Sequence, residues 1–329
     1  MLSENLQTKV DEYIDIYGQL RKKLRWKVAD QRTLMLIASM YVVKNKPFNL
    51  KRYIELCDYI KNNVGAFSTL KSYQRFTTAA MLDIECDNPE KSFHSYLELY
   101  ESFVDGGFSR GAFTYIAALT MLKDMEELVD PKSKVQRSLA VYKGMRNKHF
   151  FLTSHEDYPL AVLIANRDES IEKLMDHIEG FYDRLNENGF RKGNDLQFLS
   201  HILSLDTESD PDLLVDRCLK LWNTFKEIGI KPKATYYPEM GMLALLKDGA
   251  KEVSNVEKVA NYLKDQKHFK WQKDMNFMMA VNLTVSCKMD NTLSMETGFH
   301  TIVEAIIQAQ QAVNIATVAG VAAANNSAS

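Results

Sequence analysis

The sequence has few of the features that mark a secreted, membrane-spanning or metal-binding protein. Its four cysteines show no paired spacing, which argues against a disulfide framework or a thiolate metal site: Cys57, Cys86, Cys218 and Cys287. The longest apolar run, residues 34–43, is interrupted by Ser39 and is too short to cross a bilayer. Residues 1–13 mix charged and apolar side chains and lack the core of a signal peptide. We therefore expect a cytoplasmic protein without a transmembrane segment.

Neither an excess of charge nor a catalytic motif points to one chemistry. The chain has 41 lysines and arginines against 43 acidic residues, so no long-range field favours nucleic acid as a partner. It contains no phosphate-cradling glycine loop, no nucleophile elbow and no His-Glu-x-x-His motif. Proline-rich and low-complexity stretches are also absent. We therefore expect no cofactor and no metal site, and an enzyme is the less favoured class.

What the sequence does contain is an internal repeat of about 41 residues. A turn at residues 107–111 leads into an apolar helix, and similar turns begin 82 and then 40 residues later, at Gly189 and Gly229. Large apolar residues follow these turns in a first ladder with steps of 39 to 42 residues: Trp26, Phe67, Phe108, Phe150, Phe190, Ile230 and Phe269. A second ladder lies about eight residues upstream: Tyr17, Tyr59, Tyr100, Tyr142, Tyr182, Trp222 and Tyr262. Because aromatics form only 10% of the chain, this coincidence indicates a true repeat.

Each repeat is predicted to form two helices. The helix before the turn is amphipathic, as in residues 171–182, where apolar residues return at helical spacing. The helix after the turn, as in residues 113–122, is nearly apolar throughout and should lie between neighbouring repeats. Asn-Pro at 88–89 and Asp-Pro at 130–131 and 210–211 suit helix starts. Four glycines suit a left-handed residue at a helix end: Gly65, Gly107, Gly189 and Gly229.

Such repeats cannot bury their own apolar faces and must stack on one another. The predicted fold is all-α, a right-handed α-solenoid of about seven helix-turn-helix repeats. The period exceeds the roughly 34 residues of tetratricopeptide repeats and matches the roughly 40 of HEAT repeats, although neither consensus is present. We assign residues 1–300 to this single repeat domain and residues 301–329 to a C-terminal Ala/Gln-rich capping helix and disordered tail. That helix covers the last repeat or packs against a second copy in a homo-oligomer.

The stretch Tyr-Tyr-Pro-Glu-Met-Gly-Met-Leu-Ala-Leu-Leu at 236–246 and the Ala-rich end resemble an uncharacterised bacterial family known only as a domain of unknown function. The resemblance covers nearly the full length of the chain. It implies an all-helical protein, and no activity or functional residue comes with it.

A third ladder of aromatics occupies one equivalent position on the helices after the turns: Phe76, Tyr115, Tyr158, Phe198, Tyr237 and Phe277. In stacked helix pairs such helices commonly line the concave surface, where these rings would form a groove for a peptide or a partner helix. The alternative is that the rings fill the core between repeats, although the polar tips of Tyr115, Tyr158 and Tyr237 favour partial exposure. The predicted function is a non-enzymatic scaffold that binds a protein or peptide segment.

Two other hypotheses stay open. His149, His155, Glu156 and Asp157 cluster at the fourth turn, where imidazoles and carboxylates could serve an enzyme or a metal-binding protein with its site in the concave groove. Their spacing matches no ligand signature, and acids just ahead of Pro159 also suit the first turn of a helix. The basic stretch at 21–27, Arg-Lys-Lys-Leu-Arg-Trp-Lys, would hold an anionic ligand or form a solvated edge, with its tryptophan accounted for by the first ladder.

Overall fold

The computed structural model describes residues 2–28, 30–66, 68–122 and 130–290, together with residues 306, 307, 310, 313–315 and 317 of the C-terminal tail. These residues form fourteen α-helices and three short 3-10 helices, with no strand among them. The predicted all-α class is confirmed. In chain order the α-helices are α1 (Glu4–Leu24), α2 (Gln31–Val43), α3 (Leu50–Asn62), α4 (Gln74–Glu85), α5 (Pro89–Asp105), α6 (Ala112–Leu122), α7 (Pro131–Lys148), α8 (Tyr158–Ile164), α9 (Ile171–Glu187), α10 (Asn194–Ser204), α11 (Pro211–Glu227), α12 (Tyr237–Leu245), α13 (Gly249–Asp265) and α14 (Lys273–Asp290).

The helices alternate between two kinds. An odd-numbered helix buries one face, as α9 does with six of its 17 residues. An even-numbered helix is buried nearly all round, as shown by all seven residues of α8 and eleven of the 13 residues of α2. A helix that is apolar on every side is stable only when neighbours enclose it. The predicted contrast between an amphipathic helix and an enclosed helix is confirmed for these elements.

Contacts between helices divide the chain into two compact units. Unit 1 comprises Met1–Val10, Gly144–Thr153 and Arg167–Glu304, and unit 2 comprises Asp11–Lys143, Ser154–Asn166 and Ala305–Ser329, each as far as it is described. In unit 2, α2 packs against α4, α4 against α6 and α6 against α8, while α3 packs against α5. In unit 1, α10 packs against α12 and α12 against α14, while α9 packs against α11 and α11 against α13. Helices of the same kind therefore lie side by side in each unit, and the predicted solenoid over residues 1–300 stays a prediction.

The odd-numbered helices begin where the sequence indicates. Five of them start at a side chain that accepts a backbone N–H from the first turn: Asn49, Asn88, Asp130, Ser170 and Asp210. Proline occupies the first position of α5, α7 and α11, where a backbone N–H would have no partner within the helix. The predicted starts at residues 88, 130 and 210 are confirmed.

Three odd-numbered helices end in the same turn. At the end of α9, the N–H of Gly189 donates to the carbonyl of Asn186 and the N–H of Phe190 to that of Leu185, each at 3.0 Å. This pair of bonds is a Schellman motif, in which the residue after the helix takes a left-handed conformation that favours glycine. Backbone φ is 113°, 94° and 77° at the three predicted glycines, Gly107, Gly189 and Gly229.

The Schellman motif explains the first ladder at the turns where the motif forms. The residue after the glycine packs back onto the helix, so that the rings of Phe108 and Phe103 lie 4.8 Å apart. The ladder fails at the first and fourth turns, where Trp26 and Phe150 are 87% and 58% exposed. The expectation of a left-handed Gly65 is also wrong, because its φ is not positive. Phe67 lies outside the described residues.

The described part of the tail is helical and largely buried. Ile306, Ile307 and Ile315 have no exposed surface. Thr317 Oγ1 donates to Glu156 Oε1 at 3.0 Å within unit 2. This contact lies at the fourth helix pair, whereas the capping helix was predicted on the seventh. The remaining tail residues, including 325–329, lie outside the described part of the chain.

The start of α1 lies against α14 in unit 1. Lys9 Nζ is 3.0 Å from Asp290 Oδ2 and donates to Ser286 Oγ at 3.1 Å. Leu6 and Val10, which flank Lys9 on the same helical face, are 2% and 0% exposed. The last described helix pair therefore has the first helix of the chain as a neighbour.

Replacing Gly189 by alanine should lower the free energy of unfolding by about 1–2 kcal/mol, because an L side chain is strained at this positive φ. No heavy atom lies within 4 Å of the added Cβ, so a steric clash does not contribute. Gly65→Ala is the matched control, since its surroundings are equally open and its φ is not positive. Urea unfolding followed by circular dichroism measures both variants. Equal stability of the two would contradict the left-handed turn.

Candidate functional site

The third ladder lies inside the protein. Five of its six rings are between 1% and 7% exposed, namely Phe76, Tyr115, Tyr158, Tyr237 and Phe277. Phe198 is half-buried. Rings this deeply buried offer little surface to a partner while the helices stay packed, so their burial favours the core alternative over a groove along the ladder. As partner contacts the six residues stay a prediction.

The hydroxyls of two third-ladder tyrosines accept hydrogen bonds from backbone N–H groups. Tyr237 Oη accepts the N–H of Arg191 at 2.9 Å. Tyr158 Oη accepts the N–H of Ser109 at 3.3 Å. Both N–H groups lie two residues after a left-handed glycine, in the turns that join α9 to α10 and α5 to α6. Because Tyr158 and Tyr237 are only 3% and 1% exposed, the expected exposure of the polar tips is wrong for these two residues.

Second-ladder tyrosines hold the same two turns. Tyr182 Oη accepts the N–H of Gly193, and Tyr100 Oη accepts that of Gly111, each at 3.3 Å. Tyr115 lies flat on Tyr100, with ring centroids 3.7 Å apart, and burial raises the pKa of the Tyr115 hydroxyl to about 12. Each turn is thus bound by two tyrosines from different helices, an arrangement that we call the turn clamp. The clamp gives a structural role to two members of each ladder, Tyr100 and Tyr182 of the second and Tyr158 and Tyr237 of the third.

Replacing Tyr237 by phenylalanine should leave the N–H of Arg191 without its acceptor and cost about 1 kcal/mol in the free energy of unfolding. Amide hydrogen exchange should then become faster at Arg191 and stay unchanged at Ser109. Tyr158→Phe should produce the reverse pattern, so that each variant is the control for the other. Unchanged exchange at both amides would contradict the turn clamp.

His149, one member of the proposed metal or catalytic cluster, lies in unit 1. Its Nε2 is 3.0 Å from Glu179 Oε2, and its ring centroid is 4.4 Å from that of Tyr182. Nearby, Gln197 Nε2 donates to Thr153 Oγ1 at 2.7 Å. These contacts join the turn after α7 to α9 and α10.

The other three members of the cluster lie in unit 2, where residues 155–157 form a 3-10 helix before α8. The N–H of Ser154 donates to Asp157 Oδ2 at 2.8 Å, and the N–H of Glu156 donates to Ser154 Oγ at 3.2 Å. This capping box supports the interpretation of the two acids as helix-start residues. His155 stacks on Tyr158 with centroids 5.1 Å apart. Within the described ranges, no group of three or more His, Cys, Asp and Glu could hold a metal ion.

Stability should depend on pH through Asp157. Burial raises the pKa of its carboxyl to about 7, although the backbone N–H of Ser154 opposes the shift. The folded pKa exceeds the unfolded value of about 3.9, so the folded protein binds more protons between about pH 4 and 7. The contribution of Asp157 to stability therefore falls as pH rises through this window. Relative to wild type, Asp157→Asn should flatten the plot of unfolding free energy against pH, measured by urea titration; parallel plots would contradict the shift.

The basic stretch at 21–27 is exposed at its end. Residues 25–27 are all exposed, and Trp26 does not pack in the ladder position assigned to it. The guanidinium of Arg25 lies 5.1 Å from the ring centroid of Trp26. These contacts agree with the solvated edge, one of the two alternatives for this stretch.

A groove that the sequence does not reveal opens in unit 1. It has a volume of about 460 Å³ and lies between the turn that ends α11 and the turn that joins α13 to α14. Ile228, Ile230 and Phe277 supply apolar walls, and Trp271 lies in the lining with 86% of its surface exposed. We call this site the Trp271 groove.

Hydrogen bonds fix the two sides of the Trp271 groove. Tyr236 Oη donates to Asp274 Oδ1 at 2.6 Å, and Lys233 Nζ donates to the same oxygen at 3.0 Å. These two bonds hold the pKa of the Asp274 carboxyl below its usual value. Asn276 Nδ2 donates to the carbonyl of Phe269 at 2.8 Å and so ties the turn that carries Trp271 to α14. The groove therefore has walls that are held in place without a partner.

Trp271 was missed because the first ladder assigns Phe269 to this turn. That assignment agrees with the 2% exposure of Phe269. Trp271 follows two residues later and belongs to none of the three ladders. One signal in the sequence could have indicated the groove. Trp271 belongs to no ladder, and it lies next to Lys270 and close to Lys273.

The described residues define a class of all-helical protein in which helices of the same kind lie side by side within each unit, and in which tyrosines bind the turns after α5 and α9. No described helix has the length and apolar composition needed to cross a membrane. The chain belongs to the family described as "Protein of unknown function (DUF4003)", which matches residues 16–312. It is similar to the "Uncharacterized protein YeaA" of Bacillus subtilis (strain 168), with 39% identity over 327 residues that cover 99% of this chain and 98% of that protein. No solved structure matches the chain. The resemblance to a family of unknown function is confirmed.

Proposed function

We propose that the chain is an α-solenoid of about seven helix-turn-helix repeats that works as a non-enzymatic scaffold and binds a protein or peptide segment. The observation that carries the proposal is the Trp271 groove. An 86%-exposed tryptophan beside apolar walls is a costly surface for a protein to leave in water. Tryptophan is also the residue type most often found at the energetic centre of protein interfaces.

The repeated construction supports a scaffold. The turn clamp occurs in both units, at residues 107–111 in unit 2 and at 189–193 in unit 1. Stacked helix pairs with fixed turns present side chains on a rigid frame, which lowers the entropy lost on binding.

The proposal includes a cytoplasmic location. All four cysteines are free thiols, and Cys57, Cys218 and Cys287 are buried. Unpaired cysteines are usual in a reducing compartment.

A peptide library displayed on phage and selected on the immobilised full-length protein tests the proposal. We expect recovered peptides to share a motif and to bind the folded protein in solution with a negative heat-capacity change, since apolar surface is buried. An unrelated helical protein is the control for non-specific capture. Recovery of no shared motif, or of the same peptides on the control protein, would overturn the proposed function.

A further inference from the structure

We propose that the Trp271 groove binds a short acidic peptide segment that places one apolar side chain against Trp271. This inference rests on the proposed function, because it names the kind of partner that the scaffold holds. Three properties of the groove support the inference: its charge, its apolar walls and a buried hydrogen-bond acceptor.

The charge of the groove is locally positive. Lys264, Lys270 and Lys273 line it together with a single carboxylate, that of Glu257. All three lysines are exposed, so their ammonium groups are accessible to a partner. The chain as a whole has a net charge of −2, so this concentration of cations does not follow from its composition. Carboxylates on the partner would complement it.

The apolar walls indicate that the partner is more than an anion. Ile228 and Ile230 are half-buried at the end of α11, and the ring of Phe277 lies 4.2 Å from that of Tyr236. Lys270 Nζ lies 5.5 Å from the ring centroid of Trp271. Charge and apolar surface are therefore adjacent, and an apolar side chain flanked by acidic residues would meet both.

A buried acceptor in the lining favours a peptide over a simple carboxylate. Asn276 is 1% exposed, and its Oδ1 has no hydrogen-bond partner among the described residues. Its Nδ2 is already committed to the carbonyl of Phe269. A buried acceptor without a donor costs stability, and a partner that brings an N–H removes this cost. The backbone of an extended peptide supplies such a donor, whereas an inorganic anion does not.

A single-stranded nucleic acid is the less favoured partner. It would stack a base on Trp271 and pair its phosphates with the lysines. Ile228 and Ile230, however, line the groove with aliphatic side chains, and a base with its sugar-phosphate backbone would bring no apolar side chain to cover them.

The test compares two tryptophans of equal exposure in the full-length protein. Peptides recovered by the phage selection are labelled with fluorescein, and their affinity is measured by fluorescence anisotropy. We expect these peptides to be rich in Asp and Glu around one apolar residue. Trp271→Ala should weaken binding at least about tenfold, as expected for a central tryptophan. Trp26→Ala is the matched control and should leave affinity unchanged, since Trp26 and Trp271 are 87% and 86% exposed.

Charge is tested separately. Lys273→Glu should weaken binding severalfold, and replacing the acidic residues of a recovered peptide by their amides should have a similar effect. Thermal melting of each protein variant should match wild type, because the changed side chains are exposed. Equal binding of the acidic and amide peptides would overturn the proposed acidic character.

The remaining outcomes distinguish the inference from the proposed function. If recovered peptides bind wild type and Trp271→Ala equally, the groove is not the site and the proposed function stands. If the selection recovers no motif, the proposed function fails and the inference fails with it. A thymidine oligonucleotide that displaces the peptide at lower concentration would overturn the inference in favour of nucleic acid. A dimer that Trp271→Ala converts to monomer in sedimentation would overturn it in favour of a second copy of the chain.

Discussion

The even-numbered helices are buried around most of their circumference, and the rest of the structure is arranged to enclose them. All seven residues of α8 are buried, and so are eight of the nine residues of α12. No single neighbour can cover such a helix, because a neighbour contacts only one side of it. Within each unit, even-numbered helices therefore pack against one another and against odd-numbered neighbours, as α12 does with α10, α14 and α11 in unit 1.

Stacking of this kind requires a short reversal of the chain between the two helices of a pair. The Schellman turn supplies the reversal. Its left-handed residue is a glycine, because a residue without a side chain adopts this conformation without strain. The turn exposes backbone N–H groups that would be unpaired if buried, and the turn clamp pairs two of them with Tyr182 and Tyr237 in the α9 to α10 turn. The same aromatic rings fill the space between helices. One residue type thus satisfies both the packing of the core and the hydrogen bonding of the turn.

The sequence predicted the features that depend on local pattern. Helix type, capped starts such as Asn88 and left-handed residues such as Gly189 follow from spacing and from the chemistry of single residues. The partner of the Tyr237 hydroxyl lies 46 residues away, so no local pattern could identify it, and the hydroxyl was wrongly expected to reach solvent. The ladders also failed to predict which aromatic side chains are exposed, because a sequence period gives the position of a residue and not its surroundings. Trp26 occupies a ladder position but is exposed. Trp271, which lines the groove, lies two residues after the ladder position of Phe269.

The ends of a stack of helix pairs present a separate problem, because the last pair has an apolar face and no further pair to cover it. The sequence suggested the tail as the cover, since it is the only long apolar stretch after α14. In the structure the start of α1 lies against α14, where Lys9 Nζ is 3.0 Å from Asp290 Oδ2. Because 9% and 28% of these two side chains are exposed, the hydration that each charge loses opposes their attraction. The described residues of the tail bury Ile306, Ile307 and Ile315, and Thr317 bonds to Glu156 in unit 2, while the capping helix on the last repeat stays a prediction.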